Sequence, residues 1–239
     1  EIMVNINALT SRRVEVSNSF DDIQDYYDEL GWTDGLPVVP ATPDLVRKML
    51  GEYGENPSWS LGVIQPQNAS VNIEKVAINA VMAGCRPEHF PVVIAGIQAI
   101  LKPEFNLAGC QATTGGAAPV TIVNGPIARD LDINGDTGCF GPGHRSNAVI
   151  GRAIRLVIRN IAGLIPGEMD KATLALPARY TFCFAENEAR SPWEPRHVEL
   201  GMEPDQSMVT ISAIRGLYVV MESTVPTGLD VLKTLVEST

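Results

Sequence analysis

A glycine-rich turn followed by an amphipathic segment occupies residues 138–160 and has the composition of an anion-binding site. Gly141 and Gly143 let the backbone approach a ligand closely. A helix that begins just after them directs unpaired N–H groups and partial positive charge to the same place. Arg145 and Asn147 add side-chain donors. These residue types predict a site for a carboxylate or a phosphate group.

A structural interpretation of the same segment is also open. The glycines would then allow two chain segments to pack closely, and the arginines would form a solvated helix face. Arg152, Arg155 and Arg159 recur at three- and four-residue spacing, which is typical of one exposed face. We therefore expect Arg155 and Arg159 to be surface charges. Neither a dinucleotide fingerprint nor a GKS or GKT phosphate loop occurs in the chain.

Two thiols and one imidazole are the candidate catalytic groups. Cys139 precedes a predicted helix start, a setting that lowers the pKa of a thiol and makes it nucleophilic. His144 lies in the same turn and is the preferred general acid/base or metal ligand. Cys110 sits between small residues that permit close backbone approach. The alternative is that these groups are structural, since buried cysteine commonly packs as a small apolar residue.

Polar residues on either side of a predicted buried strand are candidate substrate ligands. Thr113 and Thr114 precede the β-branched run at 120–123, and Asn124 follows it. If strand ends gather at one edge of a sheet, these two turns converge with residues 139–147 on one pocket. The sequence predicts that pocket as the substrate site.

A metal site is the alternative to thiol chemistry. Glu186, Glu188 and His197 follow a predicted strand, and together with His144 they offer carboxylate and imidazole ligands. The chain contains no HExxH motif or comparable spacing, and acid-rich loops are commonly just solvated. The main prediction therefore includes no metal, and the sequence identifies no cofactor.

Helical and strand patterns alternate along the chain. Helical spacing and capping residues predict helices at 21–30, 43–50, 70–84, 90–101, 145–163 and 225–239. Short β-like runs predict strands at 107–116, 120–123, 179–187, 207–216 and 216–223. The expected fold class is α/β, or intermixed α+β, with a mixed sheet flanked by helices.

The expected organisation is an extended arm over residues 1–20 followed by one domain over residues 21–239. Because the last predicted helix stops abruptly, we expect the natural protein to continue past Thr239.

The composition excludes several classes of partner. The chain has 239 residues, 45% of them hydrophobic, and 28 acidic against 18 basic side chains give a formal charge of −10. Its cations are scattered, so nucleic acid and anionic membrane surfaces are not expected partners. No apolar run reaches the roughly 20 residues that span a bilayer, and no signal-peptide pattern is present, so we expect a cytoplasmic protein. Four widely spaced cysteines with no CxxC pair favour reduced thiols.

Long motifs in the chain resemble a poorly characterised bacterial family. Those motifs are GWTDGLPVVPAT (31–42), VAINAVMAGCRPEHFPVV (76–93), IVNGPIA (122–128), GPGHRSNAVIGRAIRL (141–156), PGEMDKAT (166–173) and FCFAENEARSPWEPRHVE (182–199). Members of that family, which carry the TDGLPVVP and NAVMAGCRPE motifs, are encoded beside small proteins of the UGSC type. Those neighbours contain a selenocysteine or cysteine motif similar to the thiol sites of reductive enzymes, whereas this chain has no UGSC or CGSC motif.

The resemblance implies a two-component system. We expect an enzyme or enzyme subunit that acts on a small anionic or acyl substrate by thiol-dependent chemistry, reductive or lyase-type, in a homo-oligomer or a hetero-oligomer with a UGSC-type protein. Two alternatives remain open at this stage. One is a metal-dependent lyase or hydrolase, and the other is a non-catalytic binding or assembly subunit.

Overall fold

Helices make up most of the regular structure in the computed structural model, which describes residues 9–224 and 227–238. The helices are α1 (Phe20–Glu29), α2 (Pro43–Leu50), α3 (Ile73–Met82), α4 (Phe90–Ile100), α5 (Leu107–Gln111), α6 (Pro126–Asp130), α7 (Arg145–Asn160), α8 (Arg196–Glu199) and α9 (Gly228–Ser238). The strands are β1 (Ser60–Ile64), β2 (Ala69–Asn72), β3 (Ala118–Asn124), β4 (Cys183–Ala185) and β5 (Met208–Ile214). Short 3₁₀-helices occupy Gly51–Glu55, Pro87–His89, Pro103–Phe105 and Pro177–Arg179.

The first helices begin at capping residues that the sequence provides, with one exception. Ser19 caps α1 and Thr42 caps α2, each through its side-chain oxygen. The helix start predicted at Ser70 is wrong, because Ser70 belongs to β2. The side chain of Asn72, two residues later, caps α3 instead.

A three-stranded sheet with the order β4-β3-β5 forms the centre of the fold. β3 runs parallel to β4, with Thr121 opposite Cys183, and antiparallel to β5, with Ala118 opposite Ile214. Nearly all of β3 is buried, as its β-branched run predicts. β1 and β2 form a separate antiparallel pair. The predicted class, an α/β fold with a mixed sheet and flanking helices, is confirmed.

The hydrophobic core lies where α3, α4 and α7 pack against one another and against the sheet. Gly96 on α4 leaves room for Ile154 of α7 and Ile211 of β5. α7 runs opposite in direction to the segment that leads into β4, since Ala148 O accepts from Thr181 and Arg155 donates to Arg179 O farther along the helix. The start of α7 therefore lies toward the carboxyl ends of β3 and β4.

Two predicted strands are wrong for different physical reasons. Residues 107–111 form the helix α5, because the side chain of Asn106 caps that turn by accepting from Gly109 N–H. Residues 216–223 lie in no strand of the described chain. Val219 in that segment is 92% exposed, so β-branched residues alone do not form a strand where no neighbouring strand pairs with them.

The N-terminal segment is attached to α3 by one carboxylate. Residues 9–19 form no helix or strand, and residues 1–8 of the predicted arm lie outside the described chain. Glu74 accepts hydrogen bonds from Thr10 N–H at 2.9 Å, from the Thr10 hydroxyl at 2.8 Å and from Ser11 N–H at 2.9 Å.

The C-terminal helix prediction corresponds to α9, although residues 225, 226 and 239 lie outside the described chain. No helix among the described residues combines the length and apolarity that crossing a bilayer requires.

Candidate functional site

The glycine-rich turn stands at the start of α7 and opens to solvent. His144 occupies the N-cap position of α7, but its side chain makes no capping hydrogen bond. Gly141 and Gly143 are both exposed, and a Cβ placed on Gly143 would meet no described atom within 4 Å. The predicted glycines and the helix start are both present, but no described residue encloses the space in front of them.

The two side chains expected to bind the anion at this turn already make hydrogen bonds within the protein. Asn147 accepts from Asn134 N–H at 2.8 Å and donates to Asn134 O at 2.9 Å and to Cys139 O at 3.3 Å. Arg145 donates to Gly84 O at 3.1 Å. Asn147 therefore fixes the loop before α7, and its amide has no donor left for a ligand.

The four cysteines fall into two groups. Burial raises the pKa of the Cys85 thiol to about 12 and also raises the pKa of the Cys183 thiol, so both are protonated at neutral pH. Cys139 and Cys110 are half-buried. Cys110 donates from its thiol to Phe105 O at 3.4 Å. Cys139 and Cys110 remain the candidate reactive thiols, on separate elements of the fold.

The threonine turn and Asn124 lie at opposite ends of β3. Thr113 and Thr114 precede this strand and Asn124 is its last residue, so a strand of about 20 Å separates them. Thr114 O accepts from Thr173 N–H at 3.2 Å, which places the threonine turn beside the segment at 170–177. The structure does not bring the two turns together, because they lie at opposite ends of the same strand.

A carboxylate cluster, formed by Asn124, Glu186, Glu188 and His197, lies at the carboxyl ends of β3 and β4. Asn124 donates from its amide to Glu186 and, at 3.1 Å, to Glu188. Glu188 also accepts from Gly125 N–H at 2.7 Å. His197 Nδ1 lies 3.6 Å from the same Glu188 oxygen. Three of the four residues predicted as alternative metal ligands are therefore neighbours.

Buried polar atoms in this cluster lack protein partners. His197 is 1% exposed, and neither of its ring nitrogens has a hydrogen-bond partner in the described part of the chain. The side-chain oxygen of Asn124 is also unpartnered. His144 lies at the start of α7 and makes no hydrogen bond or ion pair with the described residues of the cluster. Within residues 9–224 and 227–238, no group of three or more histidine, cysteine, aspartate or glutamate side chains is arranged to hold a metal ion.

A small cavity of about 310 Å³ contains a serine and histidine pair that is not set up for nucleophilic catalysis. The Ser146 hydroxyl lies 3.3 Å from His89 Nε2. His89 Nδ1 accepts from Arg86 N–H at 3.0 Å, so the proton of the neutral ring is on Nε2. Burial lowers the pKa of His89, which favours that neutral ring. His89 therefore donates toward Ser146, whose hydroxyl donates to Leu131 O at 2.5 Å, and no base is available to the serine.

A larger cavity of about 470 Å³ lies between the second half of α7 and the segment at 164–180, and we call it the arginine cleft. Its lining combines charged and apolar side chains: Asp34, Arg155, Arg159, Leu164, Pro166, Asp170, Ala172, Leu174, Ala175, Leu176, Pro177, Arg179 and Tyr180. Concave sites of this volume with a few convergent polar groups are typical of small-molecule sites.

Two of the three arginines in the cleft are held rigidly. Arg155 donates to Arg179 O at 2.8 Å and to the side-chain oxygen of Gln111 at 2.7 Å. Arg179 donates to Ala117 O at 2.9 Å and to the same Gln111 oxygen at 3.4 Å. Gln111 is fully buried at the end of α5, so it fixes both guanidinium groups relative to the sheet.

The two aspartates in the cleft are already paired, whereas one arginine is not. Asp34 accepts two hydrogen bonds of 2.8 Å from Arg152, which is not among the residues that line the cleft. Asp170 pairs with Arg179. Arg159 forms no ion pair or side-chain hydrogen bond with any described residue, and its Nε is buried without a partner.

Positive charge accumulates in the cleft although the whole chain is acidic. Arg155 donates to two neutral oxygens, and burial together with the neighbouring Arg179 lowers its pKa to about 10. Arg159 acts on Arg155 in the same direction. A bound anion would lower the free energy of all three arginines.

The sequence interpretation missed this cleft. Arg155 was expected at the surface but is 9% exposed, and Arg152 is part of a half-buried ion pair. Helical spacing shows which side chains of α7 share a face. It does not show that Gln111 and the distant segment at 164–180 cover that face. The only available signal was the repeated arginine on an apolar helix.

These features define a mixed α/β protein with a rigid cationic cleft beside its central sheet. Comparison of the chain with protein-family models, with curated proteins and with solved structures gives no match. The site is therefore interpreted from its own geometry.

Proposed function

We propose that this protein is an enzyme, or the substrate-binding subunit of an enzyme, that holds a small anionic molecule in the arginine cleft. The observation that carries the proposal is Arg159, whose guanidinium group faces the cleft without a protein anion. Arg159 is half-buried, and a buried N–H donor is ordinarily hydrogen-bonded, so its buried and unpartnered Nε favours an acceptor from outside the described chain. The rigid arrangement of Arg155 and Arg179 supports the same proposal, because a preorganised cationic site loses little conformational freedom on binding.

We further propose that thiol chemistry at this cleft uses a UGSC-type partner. The described lining residues include no cysteine or histidine, so a thiol that attacks a ligand there comes from outside the cleft. All four cysteines are free thiols, which supports a reducing compartment such as the cytoplasm. Co-expression with the neighbouring UGSC-type protein, followed by affinity capture, tests this partnership. Recovery of this chain without the partner would contradict it.

Calorimetric titration of the purified protein tests the anion site. The probes are acetate, hexanoate, benzoate, malate and inorganic phosphate. We expect at least one probe to bind and the Arg159→Gln variant to bind it at least tenfold more weakly. A charge-assisted hydrogen bond contributes about 1.5–3 kcal/mol, which corresponds to a factor of tenfold or more.

The matched control is Arg47→Gln, which removes the same charge from an exposed i,i+3 ion pair with Asp44 on α2. This variant should bind each probe as the wild type does. Binding that Arg47→Gln weakens as much as Arg159→Gln would reflect net charge alone and would contradict the proposed site. Failure of every probe to bind would contradict it as well.

A further inference from the structure

The described lining of the arginine cleft has unused hydrogen-bond donors, whereas its two carboxylates already accept hydrogen bonds. Neither Arg159 nor the Tyr180 hydroxyl makes a hydrogen bond with any described residue. Asp34 already accepts two hydrogen bonds from Arg152, and Asp170 accepts from Arg179 and from Ala172 N–H. A ligand that fits this wall offers acceptor oxygens and needs no carboxylate in return.

The rest of the cleft wall is mostly hydrocarbon. Apolar side chains come from the segment after α7, which contributes Leu164, Pro166, Leu174, Leu176 and Pro177. Such a wall removes apolar ligand surface from water, whereas a fully polar ligand would lose its hydration there without compensation. The ligand therefore has an apolar part as well as an acceptor group.

The single free guanidinium group favours a carboxylate over a phosphate. Arginine presents a planar pair of donors that matches the two oxygens of a carboxylate. Phosphate sites commonly combine several backbone N–H groups at a helix N-terminus. Arg159 instead lies in the last turn of α7, where the helix dipole is negative, and Asp34 and Asp170 also line the cleft. A second negative charge on the ligand would lie at the negative end of the helix dipole, with no second unpaired guanidinium group among the described lining residues to offset it.

We infer that the ligand of the arginine cleft is a monocarboxylate with an apolar body and no amino group. The carboxylate binds Arg159, and the hydrocarbon part lies along Leu174, Leu176 and Pro177. An α-ammonium group would find both aspartates of the cleft already paired. This inference rests on the proposed function and specifies its substrate class.

Five probes test the substrate class by titration calorimetry. Hexanoate, 2-aminohexanoate and 1-hexanol share a six-carbon chain, and acetate and inorganic phosphate are the other two. We expect hexanoate to bind most tightly, and 2-aminohexanoate and 1-hexanol to bind at least tenfold more weakly. Arg159→Gln should weaken hexanoate at least tenfold and leave 1-hexanol unchanged. Leu174→Ala should weaken hexanoate about two- to fivefold and leave acetate unchanged. Leu174 is 93% exposed, so this variant should fold normally.

The outcomes separate the two proposals. Inorganic phosphate binding as tightly as hexanoate, with loss in Arg159→Gln, would overturn the monocarboxylate and retain the anion site. Tighter binding of 2-aminohexanoate than of hexanoate would overturn it in the same way. If Arg159 only compensates the dipole of α7, hexanoate binds Arg159→Gln as it binds the wild type, and that result overturns both proposals.

Discussion

At the scale of single residues, the four arginines of α7 have four different environments. Arg145 donates to a backbone oxygen, and Arg152 pairs with an aspartate. Arg155 is buried with two hydrogen bonds, while Arg159 faces the cleft unpaired. Their environments differ because successive turns of α7 pass beneath different loops. The partner of each arginine is therefore determined by the loop that packs over its own turn of the helix.

Gly151 determines how closely α7 approaches β4. A Cβ on Gly151 would lie 2.4 Å from the Thr181 hydroxyl oxygen and 2.6 Å from Phe182 N, and Phe182 N is backbone that cannot rotate away. We expect Gly151→Ala to destabilise the protein by about 1–3 kcal/mol, because the helix must move away from the sheet. Urea unfolding followed by circular dichroism measures the change.

A second glycine provides the control for that measurement. A Cβ on Gly54 meets only Leu50 Cβ, at an ordinary 3.6 Å. Gly54→Ala should change the free energy of unfolding by less than about 1 kcal/mol. Equal destabilisation by Gly54→Ala and Gly151→Ala would mean that close approach of α7 is not the cause.

The sequence shows which side chains could bind a ligand, but it shows less well which of them lie close together. Glu186, Glu188 and His197 could be grouped correctly because they follow one strand within twelve positions. Asn147 was expected to bind substrate, yet its amide holds the loop at 134–139. Its partners are backbone atoms, which every residue has, so no residue pattern marks them.

At the scale of elements, the first turn of α3 holds the N-terminal segment through Glu74. Burial of this carboxylate favours its neutral form, but the hydrogen bonds from Thr10 and Ser11 outweigh that effect and lower its pKa below the ordinary 4.5. Stabilisation by Glu74 is therefore complete above pH 4.5 and is lost as the pH falls through the lowered pKa. Amide-exchange protection of Thr10 and Ser11 should decrease over that acidic range.

Replacing Glu74 should release the segment at neutral pH. Glu74→Gln keeps one acceptor oxygen but turns an NH₂ group toward an N–H donor. We expect trypsin to cleave after Arg12 and Arg13 roughly tenfold faster, because loss of about 1.4 kcal/mol raises the open population by that factor. Glu104→Gln, an exposed residue before α5, is the charge-matched control. Equal cleavage of the two variants would show that Glu74 does not hold the segment.

Helices that begin at a capping residue could be predicted from the sequence. Strands that depend on pairing with a distant segment could not. Ser19 and Thr42 start α1 and α2 by hydrogen bonds within four residues, which the local sequence specifies. The run at 216–223 has strand composition, but strand formation depends on a neighbour that no local pattern describes. The arginine cleft depends in the same way on packing between α7 and a distant segment.

At the scale of the whole molecule, the two ends of β3 carry different polar regions. The carboxylate cluster lies at its carboxyl end, and the threonine turn beside the cleft-lining segment lies at its other end, about 20 Å away. The arginine cleft therefore lies away from the carboxylate cluster. This separation reduces the repulsion that an acidic protein would exert on the proposed anionic ligand.

The C-terminal segment contributes little to the stability of the rest. None of the described residues in 217–224 and 227–238 is buried, and the hydrophobic core includes none of them. A chain that stops after Gly216 should therefore keep its Tm within about 2 °C, because exposed residues outside the hydrophobic core add little to the free energy of unfolding. Differential scanning calorimetry measures the change.

A chain that also lacks β5 should be much less stable than the chain that stops after Gly216. Stopping after Gln206 removes β5, which pairs with all seven residues of β3 from Ala118 to Asn124. That chain should fail to unfold cooperatively, since the buried strand would lose its hydrogen bonds along one edge. A fall in Tm of more than about 5 °C on stopping after Gly216 would contradict the first expectation, because it corresponds to more than 1 kcal/mol. Stability would then extend into α9, and the core could not be said to end at β5.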